Sequence, residues 1–258
     1  MKRRQAIFGV FTSLALTLLL PQHAGADDSE FAERDEFRQS YSLGPGAQVE
    51  VKGMNGSVTI ETANTSTAEV HVVRSARKRE DLETRKVIVE QIGNRLVVRG
   101  ENEDRGWGRK AEVRQQVMLK LPRQIDLSIH GINGSVKSGA IEGQGAISGV
   151  NGKVEVAQAG GIAKLSGING SVSVTVAKLG EQGMTISGIN GRVDVQFATD
   201  LNAEIHASGI NGKVDTDLQM MKLTEWDRSN FKARVGSGGP TISVSGVNGR
   251  VSLKKVSG

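Results

Sequence analysis

The sequence predicts an all-β protein: a right-handed β-solenoid of Gly-x-Asn-Gly coils, preceded by a short N-terminal strand region. Three observations predict this fold class. A six-residue motif recurs seven times, apolar and polar residues alternate after each copy, and the chain combines 33 glycines with only 3% aromatic residues. So few aromatic side chains favour a thin core of valine, isoleucine and leucine between glycine turns over an ordinary compact core.

Residues 1–26 have the pattern of a secretory signal peptide. Three basic residues at positions 2–4 precede an apolar run over residues 7–20, and small residues follow it. The run is shorter than the ~20 residues that a membrane-spanning helix needs, so we favour a cleaved signal over a membrane anchor. Cleavage after Ala26 would leave a periplasmic or secreted protein that begins at Asp27, and we expect no transmembrane anchor in the mature chain.

The predicted cleavage changes the charge balance. The whole chain has 33 basic and 28 acidic residues, and removal of the signal segment leaves 30 basic and 28 acidic residues, a net charge of +2. The repeats contain no contiguous basic stripe with interleaved aromatic residues, so we expect no nucleic-acid partner. The sequence has no cysteine, which excludes disulfide bonds, thiolate metal sites and a lipid-modified cysteine.

Residues 27–123 are more highly charged than the rest and hold a single copy of the motif. We predict strands at residues 70–73, 86–92, 95–99 and 113–121. Gly93-Asn94 is expected to join the second and third of these, and residues 77–85 to contain one helical turn. A polar loop follows at residues 101–110. We interpret this region as strands that cap and extend the repeats, whose end would otherwise expose an unpaired edge.

Residues 124–258 carry the other six copies of the motif. The motif asparagines stand at positions 55, 133, 151, 169, 190, 211 and 248, and the steps from Asn133 onward are 18, 18, 21, 21 and 37 residues. Nearly equal steps indicate one structural unit per repeat. The longest step holds either a degenerate unit or an excursion over residues 217–240, which could cover the end of the array. We expect residues 27–258 to form one continuous domain.

Aligned on the asparagine, the repeats have apolar residues in shared columns. The second residue of the motif is always apolar: Met54, Ile132, Val150, Ile168, Ile189, Ile210 and Val247. An antiparallel meander of Asn-Gly hairpins would leave that residue on the polar face, whereas a solenoid corner turns it inward. We therefore favour the solenoid. We predict a right-handed coil because a strict six-residue period is missing, and a hydrogen-bonded ladder of buried asparagine amides.

These features together resemble the bacterial putative-adhesin domain family. The resemblance covers residues 41–255 and rests on the signal peptide, the charged strand region that ends in a Leu-Pro step at Leu121 and Pro122, and the repeated Gly-x-Asn-Gly-x-Val units. It implies an extracytoplasmic β-solenoid with an adhesive or envelope role. The motifs are glycine turns, so they specify an architecture and name no activity.

Charged residues on neighbouring repeats raise the question of catalysis. Arg192 and Asp194 align with Lys213 and Asp215, and paired carboxylates can act as general acid and base when burial separates their pKa values. These positions alternate with inward valines, so we expect solvated side chains with ordinary pKa values, and no enzyme. The histidines after residue 26 stand at 71, 130 and 206, too far apart for a preformed metal site. We expect no metal and no cofactor.

A basic column is the remaining candidate for a binding surface. Lys153, Arg192, Lys213 and Arg250 occupy equivalent positions and could meet anionic glycans or lipid headgroups; Ser135 and Ser171 interrupt the column. The sequence therefore predicts a non-enzymatic binding or structural protein that contacts envelope glycan or protein. Two alternatives stay open: a solenoid enzyme that acts on envelope polysaccharide, and a sensor of envelope stress that binds a partner.

Overall fold

The computed structural model of this chain describes residues 31–102, 112–157, 160–197, 201–216, 221–226 and 230–255. Within these ranges the protein is nearly all β, with sixteen strands and one short helix. The predicted all-β class is confirmed. The predicted signal peptide, its cleavage point and most of the predicted loop at residues 101–110 lie outside the described ranges.

The described residues of the N-terminal half form seven strands and the helix. In order they are β1 (Glu33–Ser42), β2 (Ala47–Lys52), β3 (Gly56–Ala63), β4 (Thr67–Ala76), α1 (Arg79–Thr84), β5 (Arg85–Ile92), β6 (Arg95–Asn102) and β7 (Val113–Pro122). The predicted hairpin is confirmed, since β5 and β6 pair antiparallel around Gly93. The helical turn is confirmed as α1. The sequence pattern does not predict β1, because most of its side chains are exposed or half-buried and it lacks an apolar alternation.

Nine strands form in the described part of the C-terminal half. They are β8 (Ile125–Asn133), β9 (Val136–Ser138), β10 (Gly145–Val156), β11 (Ile162–Val176), β12 (Met184–Phe197), β13 (Ala203–Thr216), β14 (Met221–Trp226), β15 (Asn230–Val235) and β16 (Thr241–Lys255). Neighbouring repeats pair parallel and in register, so that Asn169 lies beside Asn151 on one side and Asn190 on the other. An antiparallel meander of the repeats is therefore wrong.

The five long strands β10, β11, β12, β13 and β16 each hold a motif within the strand. We call the residues before the motif the first arm and those after it the second arm. The first arms continue into β8, β2, β6 and β5 at one end and into β15 and β14 at the other. The second arms continue into β9, β3, β7, β4 and β1. The pairing thus has two branches that meet in the long strands.

The last repeat in the sequence is not the last in space. β16 lies between β12 and β13 and pairs parallel with both, with Asn248 beside Asn190 on one side and Asn211 on the other. The five residues that precede β16 include three glycines and a proline. The order of the repeats in the stack therefore differs from their order in the sequence at this point.

The apolar columns that the alignment predicts form the core of the repeats, which continues into the N-terminal half. Ile147, Leu165 and Ile186 on the first arms and Val154, Val172 and Val193 on the second arms are all buried in one cluster, together with the apolar residues of the motifs. Val214 and Thr216, at the end of the second branch, are half-buried. The inward columns are thus confirmed, with weaker burial where the stack ends.

The excursion over residues 217–240 contains a hairpin. β14 and β15 pair antiparallel, and β15 pairs antiparallel with the first arm of β13. Within the described residues, the second arm of β13 pairs only with β16. The hairpin therefore extends one branch of the sheet and not the other. No helix among the described residues is long and apolar enough to cross a membrane.

Candidate anion-binding surface

Glycine is required in the motif because neighbouring strands approach closely there. Gly170 in β11 has a φ of 148°, and a Cβ atom at this position would collide with the carbonyl oxygen of Gly152 in β10. The equivalent collision recurs between Gly191 and the carbonyl oxygen of Gly170. Only a residue without Cβ fits such a contact. The chain therefore bends at the same place in successive repeats, and the residues after the bend fall into register.

The asparagines of the motif form the predicted ladder. The Asn169 Nδ2 atom donates to Asn151 Oδ1 at 3.2 Å, and the Asn169 Oδ1 atom accepts from Asn190 Nδ2 at 3.1 Å. The ladder joins all seven motif asparagines, in the spatial order 55, 133, 151, 169, 190, 248 and 211. The expectation of buried amides is wrong: six of the seven are exposed and Asn55 is half-buried, because the side chains line the outside of the corner.

Two residues after each asparagine, the second arms present the predicted basic column. In spatial order it reads Lys153, Ser171, Arg192, Arg250 and Lys213. All four cations are exposed. Because β16 lies between β12 and β13, Arg192, Arg250 and Lys213 stand on three adjacent strands, about 4.8 Å apart per step. We call these three residues the basic row. Ser171 separates the row from Lys153.

Carboxylates lie beside this column, two residues further along the same arms. Lys153 forms an ion pair with Glu155. Asp215 accepts from Lys213 at 2.8 Å and lies 3.6 Å from the Arg250 guanidinium. Within the described part of the chain, Arg192 makes no ion pair. Among the described residues, the row therefore has one guanidinium without an ion pair and two cations that share one carboxylate.

The expectation of ordinary pKa values is wrong for two of these carboxylates. The hydrogen bond from Lys153 lowers the pKa of Glu155, and the hydrogen bond from Lys213 lowers the pKa of Asp215, with smaller contributions from the charges of Arg250 and Lys254. Both side chains stay ionised at neutral pH. A lowered pKa is the opposite of what a general acid needs at that pH.

Two further lysines lie on the same surface, and neither belongs to the predicted basic column. Lys137 stands beside Glu155, and Lys254 stands beside Gln196. Lys254 could have been found, because it stands four residues after Arg250 and therefore on the same side of β16. The described side chains of this surface then carry a net charge of +3, from six cations (Lys137, Lys153, Arg192, Lys213, Arg250, Lys254) and three carboxylates (Glu155, Asp194, Asp215).

The histidines do not converge on this surface. His71 Nε2 lies 2.8 Å from a Glu36 oxygen, and His130 Nε2 lies 3.1 Å from a Glu50 oxygen. His206 is exposed on the first arm of β13. Across the described ranges, no three His, Asp or Glu side chains are grouped closely enough to hold a metal ion.

The chain is similar to several solved bacterial structures. No protein-family model and no curated protein matches it. A putative cell adhesion protein from Clostridium sporogenes has 11% identity and a TM-score of 0.48, with 86% of this chain and 100% of that chain covered. A putative adhesin from Bacteroides fragilis has 8% identity and a TM-score of 0.27, with 86% and 97% covered. A putative lipid binding protein from Parabacteroides distasonis has 12% identity and a TM-score of 0.23, with 86% and 97% covered. Likenesses at this level assign no activity, so the chain's own residues carry the functional inference.

Proposed function

We propose that this protein is an extracytoplasmic, non-enzymatic binding protein of the adhesin type, and that its basic row binds an anionic polymer of the cell envelope. The observation that carries the proposal is the register of β12, β16 and β13, which puts Arg192, Arg250 and Lys213 side by side. The row is about 10 Å long, close to the screening length at 0.1 M salt. The electrostatic potentials of the three cations therefore overlap and reinforce one another.

The ion pairs that the three cations of the basic row make with carboxylates favour a polymeric ligand over a single small anion. Arg192 is exposed and makes no ion pair within the described residues, whereas Asp215 partly neutralises Lys213 and Arg250. The positive charge is therefore spread along the row and is not concentrated at one position. A chain of repeated anionic groups that runs along the stack of strands can meet the cations one after another, and guanidinium groups bind carboxylates and phosphates with paired hydrogen bonds.

The handedness of the fold and its domain limits are also part of the proposal. We infer a right-handed β-solenoid of Gly-x-Asn-Gly coils, with residues 27–123 as its capping region and residues 27–258 as one domain. Support comes from the parallel in-register pairing of the repeats, the asparagine ladder and the single large core cluster from Tyr41 to Leu253. A solenoid of this kind presents long, regular outer faces, which suit an extended partner.

The non-enzymatic assignment rests on the carboxylates of the second arms. Glu155 and Asp215 are engaged by lysines, and their pKa values are lowered. Catalysis by a carboxylate pair requires one member to keep its proton near neutral pH. The ion-paired arrangement therefore supports binding over hydrolysis of envelope polysaccharide.

Co-sedimentation with insoluble anionic envelope material tests the proposal. The triple variant Arg192→Gln, Arg250→Gln and Lys213→Gln should lose most of the binding, because each lost cation removes one charge contact. The control variant Arg38→Gln, Lys120→Gln and Lys222→Gln removes the same charge from exposed positions elsewhere and should bind like the parent. Binding of the parent should weaken between about 0.1 and 1 M salt, where the screening length falls from about 10 to about 3 Å.

Four results would contradict the proposal. Binding that is indifferent to salt, or equally lost in both triple variants, would remove the basic row as the site. Release of soluble sugars by the parent that disappears in the Asp194→Asn and Asp215→Asn double variant would show an enzyme. Recovery of the chain with residues 1–26 still attached and membrane-bound would contradict the extracytoplasmic assignment.

A further inference from the structure

A groove lies on the first-arm side of the molecule, on the other arm from the basic row. Its volume is about 540 Å³, within the range of roughly 300–1,000 Å³ that is usual for small-molecule sites. Five adjacent strands contribute to it, in the order β6, β2, β8, β10 and β11. Four strand spacings separate its two sides, or about 19 Å. The groove is therefore long enough for a short chain of sugar units.

The charged groups that line the groove balance one another. Arg95 lies on one side and Lys164 on the other, with Glu50 and Asp126 between them. The net charge of the lining is zero. The Glu50 carboxylate is already satisfied by Arg95 at 2.6 Å, Lys52 at 2.8 Å and His130 at 3.1 Å. A free anion would meet two carboxylates in this groove, and a free cation would meet a guanidinium and an ammonium.

The uncharged lining has both hydrogen-bond donors and acceptors. Gln48 and Gln144 contribute carboxamides and Ser128 a hydroxyl, and all three side chains are exposed. The Asp126 side chain is held in place because its Oδ1 atom accepts from the Gln144 backbone N–H at 2.8 Å. The half-buried Ala146 lies beside Ser128 and provides an apolar contact. Groups fixed before binding lose little conformational freedom when a ligand arrives.

We propose that this groove is a second binding site, specific for a neutral oligosaccharide. Sugar hydroxyls both donate and accept, which matches the mixed carboxamide, hydroxyl and carboxylate lining. A neutral ligand also avoids the charge conflict that either ion would meet. The site does not depend on the proposed anionic partner, because it lies on the first arms and its binding should be independent of salt.

Titration of the whole mature protein with soluble trisaccharides tests this site. The probes are triacetylchitotriose, cellotriose and maltotriose, with trigalacturonate as the anionic comparison. Calorimetry and the backbone amide chemical shifts measure the binding of each probe. At least one neutral trisaccharide should bind and shift the amides of β2, β8 and β10. Its affinity should be the same at about 0.1 and 1 M salt and in the triple variant of the basic row.

A variant that fills the groove can be compared with a control variant that places the same side chain outside it. Ala146→Trp places an indole in the groove and should weaken binding by about tenfold or more, the equivalent of one or two lost hydrogen bonds. Thr185→Trp is the control, because Thr185 is exposed in the same outward row, two strands further along. A second variant, Gln48→Ala with Gln144→Ala, removes both carboxamides without adding bulk and should weaken binding similarly.

The outcomes separate the two sites. Absence of binding by all three neutral probes, stronger binding of trigalacturonate that fades with salt, or binding unchanged in both groove variants would each overturn the groove proposal. Loss of anionic binding in the basic-row variant with neutral binding intact would leave both proposals standing. Loss of neutral binding alone in Ala146→Trp would support the groove whatever the fate of the basic row.

Discussion

At the scale of single residues, the asparagine of each motif stabilises the stack from the outside. Asn169 is exposed but hydrogen-bonded on both sides. Water can replace part of each bond, so the loss on mutation is smaller than for a buried polar group. The Asn-Gly pairs in the sequence predict the ladder itself. Its exposure was not predictable, because it depends on the direction of the bend at the two motif glycines.

Asn169→Ala should lower the free energy of unfolding by about 1–2 kcal/mol, because two hydrogen bonds of about 0.5–1.5 kcal/mol each are lost and water compensates in part. Asn211→Ala is the internal control, since Asn211 ends the ladder and makes one bond of this kind, to Asn248 at 3.3 Å; its effect should be about half as large. Ser171→Ala should change stability by less than about 0.5 kcal/mol. Urea denaturation measures all three, and equal midpoints would contradict a stabilising ladder.

At the scale of elements, the order of the strands is the main feature that the sequence leaves open. β12, β13 and β16 carry the same motif, and any two of them can pair in the same register, so the pattern of residues does not choose among the possible orders. The long step of 37 residues between Asn211 and Asn248 indicates that something intervenes. The hairpin of β14 and β15 occupies one edge of the first arm of β13, so β16 pairs with the opposite edge.

The same order explains why the basic row was predicted only in part. The alignment identifies Arg192, Lys213 and Arg250 as equivalent residues, which the register confirms. It does not predict that Arg250 separates the other two. The inward columns, by contrast, follow from period-two alternation alone, and the structure buries nearly all of them. Local pattern thus fixes which residues point inward, and long-range pairing fixes which outward residues meet.

Paired cysteine substitutions test the strand order, because the chain has no cysteine of its own. A disulfide requires Cα atoms within about 7 Å, while adjacent strands are about 4.8 Å apart and next-nearest strands about 9.6 Å apart. Arg192→Cys with Arg250→Cys should therefore cross-link on mild oxidation, as should Arg250→Cys with Lys213→Cys. Arg192→Cys with Lys213→Cys should remain reduced. The reverse pattern, read by peptide mapping, would put β13 directly beside β12.

At the scale of the whole molecule, ion pairs join strands β2, β6 and β8 of the first branch. Glu50 in β2 contacts Lys52 in the same strand, Arg95 in β6 and His130 in β8. Hydrogen bonds from these three side chains lower the pKa of Glu50 to about 2. The second branch has weaker counterparts at Glu155 and Asp215, whose pKa values are also lowered. The resistance of the fold to acid should therefore depend most on Glu50.

The sign of the pH effect follows from the direction of the Glu50 shift. A carboxylate whose pKa is lower in the folded than in the unfolded protein adds stability above its unfolded pKa, near 4.5, and that stability is lost as the pH falls toward about 2. Glu50→Gln should then lower the free energy of unfolding by about 1–2 kcal/mol at pH 7, after allowance for solvent screening. The difference from the parent should shrink steadily below about pH 4.5 and vanish near pH 2.

Glu61→Gln, at an exposed position with no ion pair among the described residues, should follow the parent at every pH. Denaturation curves across this pH range measure the effect, and a Glu50→Gln deficit that stays constant down to pH 2 would mean that packing around residue 50, and not its charge, stabilises the three strands.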